Sequence, residues 1–437
     1  MADDGRHGLA GLAVSLFTVE GDALVVGGVP VSQLAETYDT PLFVYDAAGL
    51  RRGYRALVEA VLGLAEVFYS IKANPNPAIV RVFVEEGAGL EIASAAEYEV
   101  ARGAGARSDR ILFAGPGKRA DELRHVVDHG IGEIHIESFG EIEHLAAIGC
   151  ALSATIPVAI RINPSAAAQG GAMRMGGKPS PFGFDEEEID SVLAAIAAQP
   201  RLDLRGIHLF AGTQILDAEV LASQWGYGLQ LAGRVARRLG RPLATIDLGG
   251  GLGIPYFAGE TALDLGRLRE RVGDLIALVR DEPLIRDARI MIEPGRFLAG
   301  PAGIYVARVL AVKASRGTRF LVTDGGMHHH LAASGNLGQV IKRDYPIVAA
   351  TGLSRPIQRA TLVGPLCTPL DTLARQAELP DLRPGELVAI LQSGAYGLTA
   401  SPVGFLSHPT PAELIVDGGE ASLIRRRGTF AAPIALP

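Results

Sequence analysis

From about residue 40 the chain alternates short apolar runs with longer stretches whose apolar residues recur every three or four positions. The short runs are FYSIKAN (68–74), LEIAS (90–94), ILFAG (111–115), IHIES (134–138), AIRIN (159–163), GIHLFAG (206–212), TIDLGG (245–250) and IMIEPG (290–295). Between them lie amphipathic segments such as NPAIVRVFVEEGAG, RADELRHVVDHG, FGEIEHLAAIG and EEEIDSVLAAIAAQ, whose spacing predicts helices. Eight strands alternating with helices over about 250 residues predict a (β/α)8 barrel. An open, doubly wound sheet gives the same alternation but rarely needs eight parallel strands of this regularity. Past residue 300 the pattern changes to β-branched runs punctuated by Gly and Pro, as in IYVARVLAVKAS, RFLVTDGG, RATLVGPLC and GELVAILQSGAY. These predict a mostly β domain. The expected organisation is a segment 1–40 joining the β domain, a barrel over 41–300, and a C-terminal β domain over 301–437.

Composition narrows the classes. With 437 residues, 48% hydrophobic and 20% charged, the chain can bury a large core and fits two or three domains. A formal charge of −7 argues against a nucleic-acid partner, because phosphate binding needs a basic face. No apolar run approaches the roughly 20 residues of a membrane span. The opening MADDGRHGLAGLAVSLF carries acids where a secretion signal is basic, so a cytoplasmic protein is expected. Cys150 and Cys367 are the two cysteines, too few for a disulfide framework or a cysteine-rich metal site.

In such barrels the chemistry sits at the C-terminal ends of the strands, and a phosphate favours the loops after strands 7 and 8. Lys72 falls at the end of strand 1, where burial would lower its pKa and free a nucleophilic amine, or where it simply reaches solvent. Gly249, Gly250, Gly251 and Gly253 follow strand 7 and suit either an anion cradle or a tight reversal. Arg296 follows strand 8 beside Glu293, an acid able to pair with that arginine or to face a cofactor's ring nitrogen. His328 and His330 would share one face of a strand. No acid or cysteine stands at ligand spacing, so they read as polar lining of a substrate mouth and no metal is expected. The segment 173–184, with Arg174 and Lys178, reads as a lid or a solvated loop.

The ordered motifs FYSIKANPNPAIVRVFVEEGAGLEIAS, GIHLFAGTQ, DLGGGLG, EPGRFLAG, GPLC and SGAYG resemble the alanine-racemase-fold decarboxylases, the group of diaminopimelate and ornithine decarboxylases. The likeness runs from about residue 40 to 410. MRMGGKPSPFGFDEEE, GGMHHHLAASGNLGQVIKRDYP and GPLCTPLD resemble a narrower branch, that of the carrier-protein glutamyl decarboxylases and exosortase-linked decarboxylases. The resemblance implies pyridoxal 5′-phosphate as cofactor, Lys72 as the Schiff-base lysine and Glu293 as the partner of the pyridine nitrogen. It assigns Gly250, Gly251, Gly295 and Arg296 to the phosphate cradle, with Arg296 also contacting a substrate carboxylate. Cys367 matches the cysteine that crosses a dimer interface to protonate the product, and Tyr396 a phosphate and substrate contact. His208 and Thr213 fall with the cofactor, and Asp371 with the substrate. A homodimer with shared active sites is implied.

The chemistry agrees, since loss of CO2 from an amino acid needs an electron sink and an acid at the ring nitrogen strengthens it. Racemases of this fold typically place a cation there, so Glu293 favours decarboxylation. A catalytically dead regulator would be expected to lose Lys72 or Cys367. Three departures stand out. Phe210 replaces a histidine that stacks on the cofactor in the family. Thr368 replaces an acid after the interface cysteine, and HHHLAASGNLGQVI replaces an arginine-proline-tyrosine segment. The last two remove partners for the far end of diaminopimelate and point to an amino acyl group on a carrier protein, whose phosphopantetheine phosphate would suit Arg174 or Lys178. Diaminopimelate remains the alternative substrate.

Overall fold

The computed structural model describes residues 16–165, 173–174, 179–210, 212–257, 259–339 and 342–435. Two compact units emerge, one of Gly53–Ile254 with Ala262–Phe297, the other of the described residues up to Arg52, Pro255–Thr261 and Leu298 onward.

The first unit is the expected barrel. Its strands are β1 (Glu66–Ser70), β2 (Gly89–Ile92), β3 (Ile111–Phe113), β4 (Glu133–Ile136), β5 (Ile156–Asn163), β6 (Leu202–Leu209), β7 (Thr245–Asp247) and β8 (Arg289–Ile292). They pair in parallel in chain order, and β8 returns to β1 through Met291↔Glu66 and Ile292↔Val67, which closes the ring. Alternating strand and helix enforces this, because each parallel step needs a crossover and the helix supplies one.

Caps set where each loop ends. Asn76 Oδ1 accepts the Ala78 N–H at 3.1 Å and Pro77 opens helix Pro77–Glu85. Ser94 and Ser138 cap helices Ala95–Gly103 and Phe139–Leu152, each accepting an N–H three residues on at 3.2 Å. Short, firmly terminated loops therefore follow β1, β2 and β4.

One layer of the barrel interior is polar. Side chains two apart on a strand share a face, so Glu133 with His135 and Thr245 with Asp247 point the same way from β4 and β7. Register aligns His208 of β6 with Asp247 on one side and with Arg161 of β5 on the other.

The second unit is a nine-stranded mixed sheet whose long strand Gly303–Ser315 pairs with Leu42–Asp46, Leu387–Ile390 and Thr318–Thr323. Ala412–Asp417 runs parallel to Leu42–Asp46 on its other edge. Leu24, Val26, Leu42, Val44, Ile304, Val306, Leu414 and Val416 form its apolar core.

Candidate active site

Lys72 lies in the 3-10 turn Ile71–Ala73, just past the end of β1 rather than within it. Its side chain is 47% exposed, so of the two sequence readings the amine follows the one that reaches toward solvent. The chain leaves the sheet at Ile71 and carries Lys72 to the rim. There Nζ stands 3.1 Å from both carboxylate oxygens of Glu91, which is itself buried and accepts the Ser70 hydroxyl at 2.5 Å. Glu91 was missed from sequence, although an acid in the apolar run LEIAS was the available signal. Next to this pair, burial pushes Glu97 up to about 7, while its Oε2 accepts the Ala93 N–H at 2.7 Å.

Glu293, immediately after β8, is 5% exposed, and its Oε2 lies 3.2 Å from Nε2 of His208. Burial alone would raise its pKa, but His208, His135 and Lys72 outweigh that and hold the carboxyl below the ordinary range. Burial likewise pushes His208 down to about 4, so near neutral pH it is an uncharged imidazole set against the acid, close to Oε2 but outside hydrogen-bond geometry. The oxygen Oε1 of Glu293 is buried with no hydrogen-bond partner among the described residues. Such an atom costs about 1–3 kcal/mol unless something supplies a donor.

The glycines after β7 are required by the space. Gly249 has φ 71°, and a Cβ there would collide with the Leu209 carbonyl. On Gly250 a Cβ would lie 2.5 Å from the Glu293 carbonyl oxygen. The turn is tied down by the Gly249 N–H donated to Asp247 Oδ1 at 2.8 Å and the Glu293 N–H donated to Gly249 O at 2.9 Å. Gly251 and Gly295 border the same rim, and Arg296 opens the short helix Arg296–Ala299. Thr213 lies just beyond β6, where its strand Gly212–Thr213 pairs with Met173–Arg174. Thus the backbone at Arg174 reaches the rim, while Lys178 is outside the described residues. Phe210 follows β6, with the Arg161 guanidinium 6.0 Å from its ring centroid. Arg161, also missed from sequence, is anchored to Glu137 at 2.7 Å.

In the second unit Cys367 is exposed on a loop that Asp371 builds. Asp371 is 2% exposed, and its two oxygens accept the N–H of Met327 at 2.6 Å and of Leu366 at 2.9 Å. It thereby ties the start of the cysteine loop at Leu366 to the turn at Met327. Tyr396 is half-buried with a left-handed φ of 53°. His328, His329 and His330 lie on a turn, not a strand, and are at most 1% exposed, so they pack inside this unit instead of lining an open mouth. His329 meets Tyr305 at 3.2 Å and the Pro409 carbonyl at 3.1 Å, and His330 meets Ser393 at 3.0 Å.

The barrel rim thus gathers an amine paired with an acid, a glycine turn and a buried carboxylate beside a neutral histidine. Residues 48–300 match the family described as pyridoxal-dependent decarboxylase, pyridoxal binding domain. The L-glutamyl-[BtrI acyl-carrier protein] decarboxylase of Niallia circulans is 40% identical over 403 residues, 91% of this chain and 94% of that one. Diaminopimelate decarboxylase of Zymomonas mobilis is 33% identical over 418 residues, 94% of this chain and 96% of that protein. Among solved structures, diaminopimelate decarboxylase of Helicobacter pylori complexed with L-lysine aligns with a TM-score of 0.82 at 28% identity, covering 91% of this chain and 97% of that one.

Proposed function

Because the chain belongs to the pyridoxal-dependent decarboxylases, we propose that it removes the α-carboxyl group of an amino acid held as an acyl group on a carrier protein. The residues fit pyridoxal phosphate. A buried carboxylate oxygen without a partner suits a protonated ring nitrogen, and the Gly249–Gly251 turn leaves room that any side chain would fill. The chain is a pyridoxal-phosphate-dependent carboxy-lyase. Lys72 would hold the cofactor, Glu293 its ring nitrogen, and Gly250, Gly251, Gly295, Arg296 and Thr213 its phosphate. When bound, the cofactor supplies a sink for the electron pair left as the Cα–carboxylate bond breaks and CO2 departs.

This chain's own groups do the rest. Glu91 would hold and orient the Lys72 amine, Glu293 would set its negative charge against the cofactor's ring nitrogen, and Cys367 would return a proton to Cα. Cys367 is supplied by a second copy of the chain in a homodimer, a reading supported by the exposed thiol on a loop fixed by Asp371.

The observation that carries the carrier-bound substrate is the 40% identity to a carrier-protein glutamyl decarboxylase across nearly the whole chain. Thr368 in place of an acid after Cys367 agrees with it. The test compares kcat/KM for glutamyl-carrier protein, free glutamate, lysine, ornithine and diaminopimelate. The carrier-bound glutamyl group should lead by at least about tenfold, the equivalent of 1.4 kcal/mol. Efficient turnover of free diaminopimelate with no carrier preference overturns the reading.

A further inference from the structure

Below Glu293 the barrel holds more buried charge than a strand wall needs. Glu133, His135, His208, Asp247 and Glu293 are each at most 5% exposed. His135 lies 3.3 Å from Glu133 and 4.0 Å from Asp247, and its ring packs 4.3 Å from that of His208 at 36°. Thr245 donates its hydroxyl to Glu133 at 2.6 Å. Three ionised acids here would each cost several kcal/mol of lost hydration, so protons must be shared out among them.

We propose that His208, backed by His135 and Asp247, is a positioning residue that keeps the Glu293 carboxylate ionised and fixed for the cofactor's ring nitrogen. The inference deepens the proposed function and rests on it. His208 Nε2 lies 3.2 Å from Glu293 Oε2, near enough for a small shift of the ring to complete a hydrogen bond to the carboxylate, and the tilted His135 ring packed against it limits its rotation. Burial, together with the charge of Glu293, raises Asp247 well above the ordinary carboxylate range. Asp247 therefore keeps its proton and adds no second negative charge beside Glu293. Lys72 from the rim and Arg161 from β5 are the cations that act on the pair. Donor atoms of His135, His208, Asp247 and Glu293 lie within 4.8 Å of one another, so a divalent metal is the competing occupant.

The experiment uses 15N-labelled cofactor bound to wild type, His208→Phe, which keeps an aromatic ring against His135, and His208→Gln, which restores a donor. The wild-type ring nitrogen should be protonated. In His208→Phe it should lose that proton, with kcat down about 100-fold and KM nearly unchanged, as for removal of one dedicated donor. His208→Gln should recover most of both. Infrared spectra of the cofactor-free proteins separate this claim from the function itself: wild type should show the protonated-carboxyl band of Asp247 alone, and His208→Phe should add a second band, from Glu293, that Glu293→Gln removes. Wild type that binds no cofactor refutes the proposed function, whereas an unchanged band in His208→Phe refutes this inference. A protonated ring nitrogen in His208→Phe, or stoichiometric divalent metal in purified wild type, also overturns it.

Discussion

Replacing Glu293 by Gln isolates charge from shape. The amide has the size of the carboxyl and can keep the place of Oε2, now 3.2 Å from His208 Nε2. What disappears is the negative charge facing the cofactor. Two unit charges about 3 Å apart interact by about 5 kcal/mol at an effective dielectric of about 20. The neutral amide has no charge with which to hold the ring proton, so the expected loss is about 3–5 kcal/mol, in line with removing a dedicated electrostatic stabiliser. At 1.36 kcal/mol per decade this is a fall in kcat of roughly 10²–10⁴. The assay is CO2 release at saturating cofactor, with the visible band of the bound cofactor measured in parallel to show that it is retained. Thermal unfolding should come at a lower temperature, because a carboxyl held below its ordinary range is one whose charge the fold stabilises. Wild-type turnover in a variant that holds its cofactor would refute the reasoning.

Further outcomes concern assembly, stability and the cysteine loop. Lys72→Ala and Cys367→Ala chains, each impaired alone, should regain about a quarter of wild-type activity after verified subunit exchange, because a mixed dimer holds one intact site; no recovery would place both residues in one chain. His330 is pushed down by burial to about 3, below its value of about 6.5 in an unfolded chain. The unfolded chain therefore takes up its proton first as the pH falls, and stability should be lost between about pH 6.5 and 3 at up to 1.4 kcal/mol per unit. His330→Gln should flatten that part of the denaturation profile. Asp371→Ala leaves the N–H groups of Met327 and Leu366 without their acceptor, so denaturant titration should show a loss of about 2–4 kcal/mol.

The barrel was legible because strand and helix periods differ and eight repeats compound the signal. The strand ends, the glycine turn and Glu293 were legible for the same reason, since the fold itself says where such residues must sit. What local pattern could not show is pairing across distance. His208 and Glu293 are remote in the chain, and only ring closure brings β6 and β8 near enough for contact. Glu133 and His135 in EIHI did carry a signal, polar residues alternating on an otherwise apolar strand, but nothing local says that they face inward. LFVYD at 42–46 reads like any buried strand, and its sheet is chosen by residues 303–306 and 412–416. The three adjacent histidines looked like a polar surface, yet each finds its surroundings in the interior of the second unit.

The most direct test of the account is to reduce the cofactor-loaded protein with borohydride and map the modified peptide by mass spectrometry. A pyridoxyl phosphate group is expected on Lys72, and none on the other lysines. Label on a different lysine, or no label on protein that has been loaded, would contradict it.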